Sequence, residues 1–403
     1  MNTRAVSLYS LFLFLLLHLI NSLDTLGPND TMKDGNVLIS RQRKFALGFF
    51  SPGYSSLHYV GIWYYGLLEQ TLVWAANREI PVNDTSGVLP FYHYGSLVIR
   101  ENIVSFPIWS TNVSSMTSEN STTAQLLDSG NLVLNHYLTK VVIWQSFHYP
   151  TDTFLPYMKL QLDKRTGLNR FVTSWKSEDD PALGSCSFRF EPTGYPLFFL
   201  YKDRAPYWQG GPTIERLDGG VHKKAYDFVF SNITTVNNAM EVSIMCGVGN
   251  ASVIVRIVVH ESRSVKHFTW HDEEQQWSEF AYYPKEQCDY YSKCGPNKNC
   301  GANNADQLDC TCLPGFEPKS PGNWYLRDGS GRCKRRQGAS LCRSGEGFVK
   351  VKQLKWPDTS TAHVDMSLSM KECEQACLRD CNCTAYSSAN KSMREHGCLK
   401  CSV

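Results

Sequence analysis

The chain has 403 residues, a formal net charge of +2 and 19% charged residues. So small an excess, with acids and bases interspersed, gives no long-range field and excludes electrostatic recruitment of nucleic acid or acidic membrane as its function. Its 15 cysteines are unevenly spread: the first 185 residues contain none and must fold on an apolar core, whereas 13 fall after position 287 in what reads as a run of small stapled domains.

The first 22 residues place Arg4 ahead of an apolar run from Leu8 to Ile20, which then meets Asn21-Ser22. This reads as a signal peptide, residues 1–22, and predicts a secreted, extracellular protein. Thirteen apolar residues fall short of the roughly 20 that span a bilayer. The nearest later candidate, Ser252-Val-Ile-Val-Arg-Ile-Val-Val259, carries an arginine among β-branched residues and reads as a strand, so no transmembrane helix is expected in the mature chain. Sequons begin at Asn29, Asn83, Asn112, Asn120, Asn232, Asn250, Asn382 and Asn390. All but Asn382, which sits between two cysteines, are expected to accept a glycan. The roughly 380 mature residues suggest two to four domains.

Residues 23–159 show short apolar and aromatic runs separated by Gly, Pro, Asn and Asp, with no sustained helical period. Runs such as Phe45-Ala-Leu-Gly-Phe-Phe50, Leu72-Val-Trp-Ala75 and Val141-Val-Ile-Trp144 recur at sandwich or barrel spacing. Trp63, Trp74, Trp109 and Trp144 each end or interrupt a strand and are expected to fill a shared core. Five strings in order, Gly61-Ile-Trp-Tyr64, Val73-Trp-Ala-Ala-Asn-Arg78, Trp109-Ser-Thr-Asn112, Leu127-Asp-Ser-Gly-Asn-Leu-Val-Leu134 and Trp144-Gln-Ser-Phe147, resemble the bulb-type, or mannose-binding-type, lectin domain. The resemblance implies a β-prism of three four-stranded sheets about a pseudo-threefold axis, with inward tryptophans in the common core. It also implies a mannose site of pattern Gln-x-Asp-x-Asn-x-Val-x-Tyr. Here the nearest match is degenerate: Leu126 and Asn135 stand for Gln and Tyr, with one residue inserted, which leaves Asp128, Asn131 and Val133 as the candidate carbohydrate site. Asp128-Ser-Gly-Asn131 reads more simply as a hairpin turn.

Residues 160–283 continue the aromatic alternation of antiparallel strands, as in Ser187-Phe-Arg-Phe190 and His267-Phe-Thr-Trp270. Ser174-Trp-Lys-Ser-Glu-Asp-Asp-Pro181, Glu191-Pro-Thr-Gly194 and Trp208-Gln-Gly-Gly-Pro212 resemble the S-locus glycoprotein domain, although Thr213 stands where the family has a further tryptophan. Cys186 and Cys246 are unusual for that family and read either as a bridge between neighbouring strands or as two buried thiols.

Residues 284–337 hold six cysteines, with Cys310-Thr-Cys312 followed by Pro314-Gly-Phe316, and resemble an EGF-like module. Six cysteines permit fifteen connectivities; the resemblance implies Cys288 with Cys300, Cys294 with Cys310, and Cys312 with Cys333. No paired Cys-x-x-Cys frame argues for zinc, and no cofactor is expected. Residues 338–403 hold Cys342, Cys373, Cys377, Cys381, Cys383 and Cys398, all expected in disulfides. Ser369-x-x-Glu372 is a capping box that predicts a short helix carrying Cys373, Cys377 and Cys381 on one face. The string is similar to the PAN, or apple-like, α+β domain, here truncated.

The predicted class is therefore mainly β: a lectin-type prism, an all-β S-locus glycoprotein domain, an EGF-like module and a partial PAN domain. Taken together this resembles the ectodomain of plant S-domain receptor-like serine/threonine kinases, which lie at the plasma membrane. The resemblance implies recognition of an extracellular peptide, protein or glycan, and homo- or heterodimerisation with S-domain receptors. It implies service in self-incompatibility, in which self pollen is rejected, or in defence sensing. The family continues into a membrane span and a kinase that do not follow Cys401-Ser-Val403, so a soluble receptor or decoy is expected; a secreted mannose-type lectin is the alternative. No Gly-x-Ser-x-Gly, His-Glu-x-x-His, phosphate loop or Asp-Phe-Gly occurs, and His271-Asp-Glu-Glu274 reads as a charged turn, so no enzyme activity is expected.

Overall fold

The computed structural model describes residues 24–103, 105–113, 121–212, 230–250, 252–304, 307–325, 332–336, 347–351, 358–389 and 396–402. The signal segment, Cys342, Thr213, Asn120 and Asn390 lie outside the described residues. Among those described, no helix is long and apolar enough to cross a membrane.

The first prism is three antiparallel sheets. Val37–Ile39, Phe45–Phe50, Tyr59–Tyr64 and Leu72–Ala75 form a meander. Thr31–Lys33 pairs with Val88–Pro90, and Val98–Ile99 with Trp109–Ser110; the bridges Val88 to Arg100 and Phe91 to Leu97 join these two ladders into the second sheet. The third runs Thr25–Leu26, Thr122–Leu126, Leu132–His136, Val142–Gln145, so the first strand of the prism closes onto its last hairpins. Alternation places Thr122, Ala124 and Leu126 inside and their neighbours toward solvent. Gly61 sits where a Cβ would lie 2.4 Å from the Phe50 ring, a close approach that only glycine permits.

On the axis, Trp74, Trp109 and Trp144, one from each sheet, meet edge to face with ring centroids 6.0, 6.2 and 5.9 Å apart. Trp63 is the exception to the expected inward set: half-buried, it lies with its ring against Gly48 on the outside of its sheet. Its neighbours in the strand, Ile62 and Tyr64, point the other way because side chains alternate across the pleat.

The next segment repeats the plan with three more four-stranded sheets. Val172–Ser177, Asp180–Glu191, Leu197–Lys202 and Ala205–Gln209 form a meander. Lys159–Asp163 and Glu241–Val248 are the inner strands of the second sheet, flanked by Asn169–Arg170 and Phe230–Asn237. Thr153–Phe154 pairs with Val255–His260, followed by Ser264–His271 and Gln276–Tyr283. The expected boundary at 159/160 falls inside the strand Lys159–Asp163. Thr153–Phe154 already belongs to the second unit, and Lys159 starts one of its strands, because the prisms abut without a linker and one apolar core runs from Leu26 to Tyr283. Cys186 and Cys246 are free thiols, both 0% exposed and on different sheets; burial pushes the Cys246 thiol up to about 12, which makes it inert.

His267 is buried in the second prism among the rings of Phe230, Phe280 and Tyr283, and burial pulls its imidazole down to about 3. Its folded pKa is thus below the unfolded value near 6.5, so between those values the unfolded chain takes up a proton that the folded one refuses. Stability is expected to fall as pH drops through that window, by up to about 1.4 kcal/mol per pH unit from this group. Thermal midpoints at pH 7 and pH 4.5 should converge partly in His267→Phe; an unchanged gap would refute the assignment.

The EGF-like module carries disulfides Cys288–Cys300, Cys294–Cys310 and Cys312–Cys333. It is anchored to the second prism by a bridge between Trp208 and Tyr290 and by the Tyr291 N–H donating to the Tyr207 carbonyl at 2.9 Å. In the PAN unit, Ser369 and Glu372 form the reciprocal cap of helix Met370–Leu378. Cys373 is bonded to Cys398 and Cys377 to Cys383. Cys381 is also disulfide-bonded, but it lies past the helix end: Arg379 is the C-cap, so the expected three-cysteine helical face holds two. The last strand, His396–Ser402, lies between His363–Ser369 and Cys383–Ser388 and is paired on both sides. Cys401 therefore sits half-buried in a central strand with its thiol pKa raised by burial.

The PAN unit docks on the turn 191–194: Tyr195 donates to the Ala389 carbonyl and Thr359 to the Tyr195 carbonyl, each at 2.7 Å. Gly194, at φ +66°, approaches Thr359 so closely that a Cβ would fall 1.6 Å from its carbonyl oxygen.

Candidate ligand-recognition site

Of the three residues of the degenerate sugar pattern, Asp128 and Asn131 make hydrogen bonds within the chain. An Asp128 carboxylate oxygen accepts the Gln42 backbone N–H at 2.7 Å and ties two loops together. Asn131 is 6% exposed. Its amide donates to Gln145 Oε1 at 2.7 Å, and its oxygen accepts from Ser146 Oγ at 3.2 Å and from the Phe147 N–H at 3.1 Å. Three of its four hydrogen-bonding positions are thus spent, one on Gln145 and two on the 3-10 turn Ser146–His148 that follows it. Val133 is buried on the face of its strand opposite Leu132 and Leu134, which belong to the common core. Asn131→Ala is expected to cost about 2 kcal/mol by orphaning these groups and to leave glycan binding unchanged. Denaturant titration beside a mannoside-binding assay checks both, and lost sugar binding at full stability would restore the sugar-site reading.

The other sequence candidates fall at the surface. His271 to Glu274 form an exposed turn between Trp270 and Trp277, which are directly paired across the hairpin. Asn29, Asn83, Asn112, Asn232 and Asn250 are exposed, and so is Asn382 despite its flanking cysteines.

A different feature occupies the seam between the prisms, where a cleft of about 470 Å³ opens. Its first wall is the 69–72 hairpin of the first prism; its second comes from Trp175, Glu178, and the strands Val255–His260 and Ser264–His271. The seam is held by directed bonds. Tyr64 donates to the Val255 carbonyl at 3.1 Å, and Trp277 Nε1 to Thr71 Oγ1 at 2.9 Å. Arg78, 9% exposed, donates to the carbonyls of Pro181 at 2.7 Å, Ser174 at 2.9 Å, Ala182 at 3.3 Å and Thr173 at 3.4 Å. Burial lowers its pKa, opposed first by Asp152 and then by Glu79 and Asp180. Asp152 lines the cleft; burial raises its pKa, against the pull of Arg78.

Arg256 also lines this cleft, with its guanidinium carbon 5.0 Å from the centre of the Phe268 ring and 4.5 Å from that of Trp277. Burial lowers its pKa, with Tyr64, Asp152 and Glu69 acting the other way. At the rim, ligand atoms of Glu178, His260 and Glu261 lie within 4.8 Å of one another. Sequence reasoning used Arg256 only to exclude a membrane span; a lone arginine inside an otherwise apolar strand was the available signal.

A family model described as D-mannose binding lectin matches residues 71–176, one described as S-locus glycoprotein domain matches 208–320, and one described as PAN-like domain matches 342–402. The G-type lectin S-receptor-like serine/threonine-protein kinase RKS1 of Arabidopsis thaliana is 45% identical over 395 residues, covering 97% of this chain and 47% of its own length. The receptor-like serine/threonine-protein kinase SD1-8 of the same plant is 39% identical over 384 residues, covering 94% of this chain and 44% of its own. The S-locus-specific glycoprotein S6 of Brassica oleracea is 36% identical over 385 residues, covering 94% of this chain and 86% of its own. The chain thus spans about half the length of these receptor-kinase relatives and most of the length of the glycoprotein.

Proposed function

This chain belongs to the family of G-type lectin S-receptor-like kinases and S-locus glycoproteins, and from that premise we propose that it recognises an extracellular peptide or protein ligand without catalysing a reaction. The role we assign is recognition in self-incompatibility or in defence sensing, exercised together with other S-domain ectodomains in homo- or heterodimers. The observation that carries the reading is the match along 94% of this chain to an S-locus-specific glycoprotein, of which it covers 86%. Sequon asparagines on the surface and disulfides in both small modules support passage through an oxidising, glycosylating compartment. The mannose-lectin reading is not favoured, since Asn131 is committed to internal partners.

Expression in a plant secretory system with residues 1–22 attached tests this. Intact mass before and after glycan release, and sedimentation alone and mixed with an S-domain receptor ectodomain, are the readouts. Secreted, glycan-bearing protein that associates is expected. Retention without glycan would overturn the extracellular assignment, and a monomer indifferent to receptor ectodomains would overturn the partnering.

A further inference from the structure

We infer that the cleft between the two prisms binds the carboxylate of a peptide ligand, with the guanidinium of Arg256 as its receptor. The inference deepens the recognition reading above and rests on it for the class of ligand.

Arg256 lies within the apolar strand Val255–His260. Its guanidinium lies against both Phe268 and Trp277, whose rings meet each other edge to face, and its Nε is buried with no hydrogen-bond partner among the described residues. No carboxylate lies within ion-pair distance of it among those residues either. The other cation on this wall, Lys266, is already 3.5 Å from Glu279. A buried arginine normally finds an acceptor within the protein, because leaving its N–H groups unmet costs free energy. Contact with the rings limits the side chain's freedom, and a fork of N–H donors matches a carboxylate in two parallel bonds.

A second donor lines the same cleft. Trp175 packs against Phe50, Tyr59 and Ala75 at the seam, and its indole N–H is buried without an acceptor among the described residues. Two orphaned donors on one cavity call for an acceptor-rich group, and apolar walls with a few convergent polar groups are the usual build of a ligand site.

The rim is of opposite sign. Glu178, His260 and Glu261 converge there, and Glu69 stands on the facing hairpin. An inorganic anion gains nothing from that arrangement and is repelled by it. A peptide places its carboxylate on Arg256 and its ammonium or a basic side chain among the glutamates, so that charges of opposite sign meet at both ends.

The test uses the full chain and a pooled tripeptide library with free carboxyl ends. Tryptophan fluorescence is the readout, because Trp175 and Trp277 flank the site. Saturable binding at millimolar concentration is expected, at least tenfold weaker for the same pool amidated at its carboxyl end and severalfold weaker when acetylated at its amino end. Arg256→Gln should abolish it, Arg256→Lys should fall between, and Trp175→Phe, which removes one donor and keeps the ring, should weaken it severalfold. Thermal midpoints establish that the variants fold; should Arg256→Gln not fold, the amidated pool and Trp175→Phe decide alone. No saturable binding, equal affinity for the two pools, or unaltered binding in a folded Arg256→Gln variant overturns the inference. Association with receptor ectodomains that persists in such a variant would leave the broader recognition reading standing while the cleft assignment falls.

Discussion

Arg78→Ala is expected to destabilise the protein by about 3–5 kcal/mol, the range for breaking a buried charge network by removing one member. The guanidinium reaches across the seam to carbonyls 95 to 104 residues away in sequence, at Thr173, Ser174, Pro181 and Ala182. Alanine would take the donor from four carbonyls, and would withdraw the positive charge that opposes the burial of Asp152. Lysine carries charge but no planar fork, and one ammonium cannot serve four carbonyls, so Arg78→Lys should cost about half as much. Hydrogen exchange separates the local from the global effect. Protection should fall first in Val172–Ser177 and Asp180–Glu191, the strands that Arg78 holds, and later in Phe45–Phe50. A loss under about 1 kcal/mol would show that Arg78 is not among the groups that hold the prisms together.

The second large effect is expected at the prism axis. Trp74→Ala should cost about 3–5 kcal/mol, the usual range for deleting a large aromatic from a packed core. Trp74 is 4% exposed, meets Trp109 and Trp144 edge to face, and donates its indole N–H to the Tyr149 carbonyl at 2.8 Å. Trp63→Ala, one strand away, removes a half-buried ring from the outer face and should cost about 1–2 kcal/mol. Equal losses at the two positions, read by denaturant titration, would mean that the three-tryptophan contact contributes nothing of its own. The comparison controls for residue type, since only position differs.

Much of the fold was legible because its signals are local. Short apolar runs cut by Gly, Asn and Asp report antiparallel strands over a few residues, and the Ser369 and Glu372 cap is complete within four positions. The strings around Trp74, Trp109 and Trp144 carried the prism and its common core through resemblance. The repeat of the three-sheet plan between Thr153 and Tyr283 was not legible, because strand order depends on which edges meet rather than on the strands themselves.

The site shows the same division more sharply. Asp128 and Asn131 had the residue types of a sugar site, yet Asn131 is claimed by Gln145, Ser146 and Phe147, which approach it only in the folded sheet. Arg256 had the look of an interruption in a strand and instead lines the cleft between prisms. Sequence by itself determined the β class, the covalent character of the two small modules and the family. Tertiary structure alone decided which tryptophans share the axis, where the prisms join, that Cys186 and Cys246 lie apart, and which polar groups are left over. The reason is that propensity and turn chemistry act within a few residues, whereas a donor is spent or spare according to what distant chain is brought within hydrogen-bonding reach of it.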